Sequence, residues 1–312
     1  MSNNQEAGKI DFLSKAMIFA LVSVLVSVGS VVEIAFDGFN YGIDFAGGTE
    51  IQVQFNESVD TGRVRKFAGD LGYSNASVQS FGEGENEFLV RLAAIQAKSD
   101  EESNKQQNAM IKQITSGLSS EFSSAGAVIR RVDSVGPQIG DELKRNGLLA
   151  AFYALLMILI YVGLRFDFKF APGAVFCLFH DAIITMGIFA LLEREVNVTT
   201  MAAILTIIGY SLNDTIVTFD RIRENIVVLR GKPFDLIVNR SINDVLSRTI
   251  LTSLTTLIAV AAMYFLGGGV IKDFAFTLGI GVFVGTYSSI YVASPLVIFV
   301  DRLQKAQSAK PA

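Results

Sequence analysis

One acidic residue, Asp214, stands inside an apolar stretch of this sequence. Residues 207–225 read IIGYSLNDTIVTFDRIREN, and the acid lies before the charged end of that stretch. A carboxylate near the centre of a membrane-spanning helix costs at least about 2.5 kcal/mol on insertion scales. Its side chain is too short to reach the charged boundary at Asp220, about 9 Å further along a helix. Asp214 is either held by a structural hydrogen bond from a neighbouring helix or is a protonatable site in a transport path, and we favour the second interpretation.

Polar residues recur at intervals of four around Asp214, which is the spacing of one helix face. They are Thr206, Tyr210 and Thr218. Because polar side chains in membrane spans face the interior of a bundle, this stripe predicts that Asp214 points toward other helices and away from lipid.

The basic residue expected near Asp214 is Arg248, at the start of the fifth predicted span. Thr252 follows it by one helical turn on the same face. The long arginine side chain can extend to the membrane interface, or it can be the counter-charge of Asp214. An ion pair favours the charged carboxylate and burial favours the neutral acid. A carboxylate held between those two states can take up and release a proton.

A second polar pair, His180 and Asp181, lies near the middle of the third predicted span. The pair is either a proton-relay partner or a satisfied packing element, and the residue types leave both interpretations open. The chain contains one histidine, so a site with several histidine ligands is excluded and no metal or other cofactor is expected.

Glycines crowd the start of the sixth predicted span. They are Gly279, Gly281 and Gly285. Small residues at this spacing predict a close helix–helix contact, either within this chain or against another subunit.

The elements that carry these residues are predicted from composition. The chain has 312 residues, 51% of them hydrophobic, and a mean hydropathy of +0.44. Runs of about 20 apolar residues can cross a bilayer as helices. Six such runs occur, at residues 16–36, 148–164, 170–192, 196–219, 249–266 and 274–300.

Basic residues fall on one side of this six-span arrangement. They concentrate in segments 1–15, 220–248 and 301–312 and in the short turn after the second span. Since lysine and arginine mark cytoplasmic loops, both termini are predicted to be cytoplasmic. Segment 37–147 is then exported. It is mildly acidic, which makes it a poor surface for nucleic acid.

The exported segment has a folding pattern of its own. Alternating and helical periodicities follow one another in the order βαββαβ, with the turn GEGEN between the middle strands. That order predicts a ferredoxin-like α+β domain between the first and second spans.

A glycine-containing motif, GIDFAGGTE, precedes the first strand of that domain. Its characteristic residues are Gly42, Asp44, Phe45, Gly47 and Gly48. No lysine follows Gly48 and a strand comes next, so this is not a phosphate-binding loop. The two adjacent glycines predict a bulge or a close backbone approach. No nucleophile–base pair is evident either, and an enzyme is not predicted.

Several of these segments together resemble the SecF subunits of the SecD/SecF protein-export family. The resemblance covers nearly the whole chain, in order. It is carried by GIDFAGGTEIQVQF, VGPQIGDELKRNGL, FHDAIITMGIFAL, SLNDTIVTFDRIREN and LSRTILTSLTTLIAV.

This resemblance implies a protein of the bacterial inner membrane that pairs with SecD in a twelve-helix unit similar to the resistance–nodulation–division transporters. It implies association with the SecYEG channel, with YajC in many bacteria, and with exported unfolded polypeptide. It also implies use of the proton motive force in late steps of export, with Asp214 and Arg248 serving proton passage. The alternatives are a passive scaffold for SecD and one half of a proton-coupled exporter of small molecules or lipids.

Overall fold

The computed structural model describes residues 8–80, 86–95, 99–166 and 169–308. The predicted GEGEN turn and the ends of both predicted cytoplasmic termini therefore fall wholly or partly outside the described residues. The chain divides into two compact units. We call Met1–Asn40, Ala151–Arg194 and Thr199–Ala312 the helical unit, and Tyr41–Ala150 with Glu195–Val198 the inserted domain.

Among the described residues, six helical stretches are long and apolar enough to cross a membrane, which confirms the predicted six-span fold. The first is α1. The other five begin at α5, because α2 (Ile43–Ala46), α3 (Thr61–Asp70) and α4 (Asp100–Glu121) belong to the inserted domain. The bounds are α1 Ala16–Phe36, α5 Pro137–Arg165, α6 Ala171–Leu191, α7 Val198–Val228 and α8 Phe234–Leu266. The last stretch consists of α9 Gly269–Ser288, a π-helical turn Ser289–Ala293 and α10 Ser294–Ser308.

Several of these helices continue well beyond their apolar parts, among them α7 and α8. Segment 220–248, predicted as a loop, is helical except between the end of α7 at Val228 and the start of α8 at Phe234. An ion pair joins the two polar extensions, since Asp244 of α8 lies 2.8 Å from Arg221 of α7. Within α8, Arg240 also pairs with Asp244, at 2.9 Å. Asn225 donates a further hydrogen bond to Asp244 at 3.0 Å. Hydropathy marks where a helix leaves an apolar environment and not where its backbone hydrogen bonds end. The spans predicted from hydropathy are therefore shorter than the helices in the structure.

Residues 8–12, which we call the N-terminal strap, are held against α8 by two asparagines. Asn243 accepts from the Ile10 N–H at 3.0 Å and donates to the Ile10 carbonyl at 2.8 Å. Asn239 donates to the same carbonyl at 3.0 Å and accepts from the Phe12 N–H at 2.9 Å. Backbone groups that would otherwise need water are thereby satisfied by side-chain amides.

The inserted domain has the predicted βαββαβ order. Its elements are β2 Gly48–Gln54, α3 Thr61–Asp70, β3 Ser77–Ser80, β4 Glu87–Ala93, α4 Asp100–Glu121 and β5 Val128–Val135. The four strands form an antiparallel sheet in the order β3-β4-β2-β5, which confirms the ferredoxin-like fold. Alternate residues of β2, Ile51 and Val53, face inward and are fully buried with Ile114 and Leu118 of α4.

The GIDFAGG segment builds a small structure that the sequence did not predict. Short strands β1 (Asn40–Tyr41) and β6 (Glu195–Val196) pair, and α2 (Ile43–Ala46) follows β1. The Gly42 N–H donates to the Val196 carbonyl at 3.0 Å. Asp44 accepts from the backbone N–H of Val198, the first residue of α7, at 3.1 Å. A carboxylate at this end of a helix satisfies an otherwise unpaired N–H group and is favoured by the helix dipole.

The last glycine of the motif, Gly48, is expected to be intolerant of any side chain. Its φ is +137°, and a Cβ there would lie 2.5 Å from the Leu92 carbonyl oxygen. Gly48→Ala should destabilise the inserted domain by about 1–3 kcal/mol. Faster amide hydrogen exchange in β2 and β4 of the full chain is the expected result. Gly69→Ala is the matched control, because nothing lies within 4 Å of its Cβ position; equal exchange in the two variants would contradict the prediction.

Candidate functional site

Asp214 lies near the middle of α7 and is only 3% exposed. Its Oδ2 atom is buried and has no hydrogen-bond partner. The Thr218 hydroxyl donates to the backbone carbonyl of Asp214, at 3.0 Å, and not to its carboxylate. An unsatisfied buried carboxylate is costly, so this group is poorly matched to its surroundings as a permanent charge.

Arg248 is exposed on α8 and is not joined to Asp214 by an ion pair. No nitrogen of Arg248 lies within 4.0 Å of an Asp214 carboxylate oxygen, although its positive charge still acts electrostatically on that carboxylate. The predicted direct pairing of Arg248 with Asp214 is therefore not seen, and the role of Arg248 as counter-charge stays a prediction.

The other members of the predicted polar stripe do not form a hydrogen-bonded chain. The Tyr210 hydroxyl, one turn before Asp214, is buried without a partner. Thr252 bonds to its own helix, donating to the carbonyls of Arg248 and Thr249 at 3.0 Å each. Within the described part of the helical unit, the buried side-chain nitrogen or oxygen atoms without a partner are His180 Nε2, Tyr210 OH and Asp214 Oδ2. All three residues were among those selected from the sequence.

Asp181 is the centre of a second buried polar cluster. It is 1% exposed, and its Oδ1 atom lies 2.8 Å from His180 Nδ1. The Ser211 hydroxyl donates to Oδ2 at 2.5 Å and the Ser288 hydroxyl at 2.8 Å. Cys177, one turn before Asp181 on α6, donates its thiol to the Ser288 oxygen at 3.1 Å. We call these five residues the Asp181 cluster; it joins α6, α7 and α9.

The sequence identified His180 and Asp181 but missed both serines. Ser288 follows Gly285 by three residues and Ser211 precedes Asp214 by three, so each shares a helix face with a residue already selected. Helical spacing from those residues is the signal that could have found them. The two buried acids differ in kind: both oxygens of Asp181 have partners, whereas Oδ2 of Asp214 has none.

The predicted glycine face packs within this chain. A Cβ at Gly281 would overlap the Ile207 side chain of α7, and one at Gly285 would lie 3.0 Å from the Ser211 Cβ. At Gly279 the neighbour is Val260 of α8, at 3.3 Å. Gly285 thus sets how closely Ser211 approaches from α7, and Ser211 is a donor to Asp181.

Gly285→Val is expected to destabilise the helical unit by about 1–3 kcal/mol, because the added methyl groups must displace Ser211. Cys177 is the only cysteine in the chain and is fully buried, so a thiol-reactive dye reports unfolding. The variant should react with the dye at a lower temperature than the unaltered chain. Gly209→Val on α7 is the control, since nothing lies within 4 Å of that position; equal labelling temperatures would refute the packing role.

No three His, Cys, Asp or Glu side chains in the described ranges lie together in a way that could hold a metal ion. The expectation that the chain uses no metal or other cofactor stays a prediction.

Six membrane-length helices and a ferredoxin-like domain between the first two define a multi-pass membrane protein with an inserted α+β domain. Residues 115–303 match the family described as protein export membrane protein SecD/SecF, C-terminal, and residues 29–59 match the SecD/SecF GG motif. The chain belongs to the SecD/SecF family.

Similar proteins of this family match nearly the whole chain. A protein translocase subunit SecF from Calditerrivibrio nitroreducens is 45% identical over 298 residues, covering 95% of each chain. The SecF subunit of Pseudomonas aeruginosa is 40% identical over 96% of this chain and 94% of its own length.

Solved structures of SecDF are also similar. A crystal structure of SecDF from Thermus thermophilus, described as a translocon-associated membrane protein, has a TM-score of 0.81 and 39% identity, covering 94% of this chain. A SecDF structure in a super-membrane-facing form gives a TM-score of 0.69. The chain spans about two fifths of those longer proteins, 39% and 40% of their lengths.

Proposed function

We propose that this chain is an accessory subunit of the Sec protein translocation machinery that uses the proton motive force to promote late steps of polypeptide export. The observation that carries the proposal is the buried Oδ2 atom of Asp214, which has no hydrogen-bond partner. Asp214 lies on a helix that is long enough to cross a membrane. The chain would lie in the bacterial inner membrane with both termini cytoplasmic and the inserted domain on the far side.

In this proposal, Asp214 is the proton acceptor and Arg248 influences it electrostatically. A carboxylate without a fixed hydrogen-bond donor can gain or lose a proton without breaking a local bond. Its charge state then changes the attraction between α7 and α8. A proton moving down the membrane potential releases about 2.3 kcal/mol per 100 mV. That energy does work only if protonation changes the relative stability of two conformations.

The proposed partner is SecD. The SecDF protein of Thermus thermophilus is 39% identical to this chain over 309 residues. The aligned residues cover 97% of this chain and 40% of the SecDF sequence. In that protein a single polypeptide includes a region like this chain, and its SecD part would be supplied here by a separate subunit. SecYEG, YajC and the exported unfolded polypeptide are the further partners that we propose on the family resemblance.

The experiment measures the late step of export in cells with and without this chain, each with SecD present. The readout is the rate at which a secreted protein is released on the far side of the membrane. We expect the chain to accelerate release while the proton gradient is intact, and a protonophore to remove that difference. A difference that survives the protonophore would indicate a passive scaffold. Loss of small-molecule efflux with unchanged protein release would indicate the exporter alternative.

A further inference from the structure

An apolar cavity of about 440 Å³ lies within the helical unit, apart from Asp214. Its walls come from α1, from α6, and from the π-helical turn with the start of α10. The lining residues used below are Ala20, Ser27, Val28, His180 and Tyr291. The volume falls in the range of sites that hold small molecules, and the lining is almost entirely hydrocarbon.

One residue of this lining, His180, has a buried polar atom without a partner. His180 is 4% exposed, and its Nδ1 atom is engaged by Asp181 at 2.8 Å. Its Nε2 atom is buried and makes no hydrogen bond. A water molecule needs at least two polar partners to be held in such a place, and the walls expose very little polar surface to the cavity. A ligand with a hydrocarbon body and one polar group matches the site better than water does.

The wall opposite His180 departs from regular helix. The π-helical turn Ser289–Ala293 interrupts the last span, and the Ser294 hydroxyl donates to the Ser289 carbonyl at 2.9 Å. Such single π turns inside α-helices are frequent at functional sites. Here the turn presents Tyr291 to the cavity.

We propose that this cavity binds an uncharged, membrane-soluble molecule with a hydrocarbon body and a single hydroxyl group that bonds to His180 Nε2. A hydroxyl can donate or accept, so it complements this nitrogen whichever ring nitrogen of His180 carries the proton. On α1 the cavity runs from Ala20 to Val28, about 12 Å at the rise of a helix, which suits a short chain attached to a ring. The ligand would act through His180 on the Asp181 cluster, and the proposal does not depend on proton transport by Asp214.

The test uses the single histidine of the chain as its reporter. The full chain, purified without a histidine tag and labelled with ¹⁵N-histidine, is reconstituted in phosphatidylcholine bilayers and studied by NMR. The probe is p-pentylphenol, and pentylbenzene is the same molecule without the hydroxyl. We expect the phenol to shift the Nε2 resonance in a saturable manner and the benzene to cause a much smaller shift.

Two variants decide whether the probe acts from the cavity. Ser27→Leu fills the cavity from α1. Ala20→Leu fills it about two helical turns away, and is used if the first variant folds poorly. Gly29→Leu adds equal bulk on the same helix where nothing lies within 4 Å. The phenol-induced shift should be lost in the filled variants and kept in Gly29→Leu. No saturable shift in the unaltered chain, or an undiminished shift in a filled variant that stays folded, would overturn the proposal.

Discussion

Replacing Asp214 with asparagine is expected to abolish the proton-driven part of export while leaving the fold intact. The amide has the same shape as the carboxylic acid but cannot bind or release a proton. One proton moving through about 100 mV is equivalent to about 2.3 kcal/mol, a factor of roughly 50 in an equilibrium or a rate. A variant that cannot couple to this potential should therefore lose most of the stimulation of late export that the gradient supplies.

The environment of Asp214 explains why its fold should survive the change. Oδ2 has no hydrogen-bond partner, so the asparagine breaks no bond there and removes a charge from a buried position. The temperature at which Cys177 reacts with a thiol dye should be unchanged or slightly higher. Release of a secreted protein, measured with and without a protonophore, supplies the functional readout.

Asp220→Asn is the matched control on the same helix. Asp220 is partly exposed and lies 3.3 Å from Arg165, in a place where a surface ion pair contributes little. It should retain proton-driven stimulation. Normal stimulation in Asp214→Asn, in a chain that still associates with SecD, would remove the basis for a proton site at this position.

Asp181→Ala, unlike Asp214→Asn, should cause a large loss of stability. Removing this carboxylate leaves two serine hydroxyls and one imidazole nitrogen buried without their acceptor. Each buried donor left without an acceptor costs about 1–3 kcal/mol, so the total loss should be on the order of several kcal/mol. Cys177 should become reactive with the dye at a clearly lower temperature, because it lies inside the Asp181 cluster and is otherwise inaccessible.

Asp214→Ala is the comparison for this second prediction. Both variants remove an aspartate from a span of similar burial. The Asp214 carboxylate, unlike that of Asp181, makes no hydrogen bond that could be lost. The loss of stability in Asp214→Ala should be markedly smaller than that in Asp181→Ala. Equal losses in the two alanine variants would mean that the hydrogen bonds to Asp181 do not stabilise the helical unit as we infer.

The sequence was sufficient to locate the residues that are badly matched to their surroundings. A carboxylate in an apolar span is improbable in itself, and Asp214 was found by that criterion alone. The same reasoning found Tyr210 and His180, which also have buried atoms without partners. The ferredoxin-like domain was equally accessible, because the alternation in β2 and the helical stripe of α4 each define one buried face.

The residues that satisfy a buried group were harder to find. Serines in membrane helices commonly bond to their own backbone and so give no sign of a distant partner. Ser288 does this with the Gly285 carbonyl, at 3.0 Å, while also donating to Asp181. Whether Arg248 contacts Asp214 depends on how α7 and α8 are rotated relative to each other. The periodicity of the sequence defines the polar face of each helix but not the relative rotation of the two.

The N-terminal strap imposes an order on biosynthesis. Ile10 and Phe12 are made more than 200 residues before their hydrogen-bond partners Asn243 and Asn239. At synthesis rates of about 5–20 residues per second, the segment before the first span waits on the order of ten seconds or more for α8. The strap is thus made well before the residues that hold it, and its closure marks a chain whose fifth span is already in place.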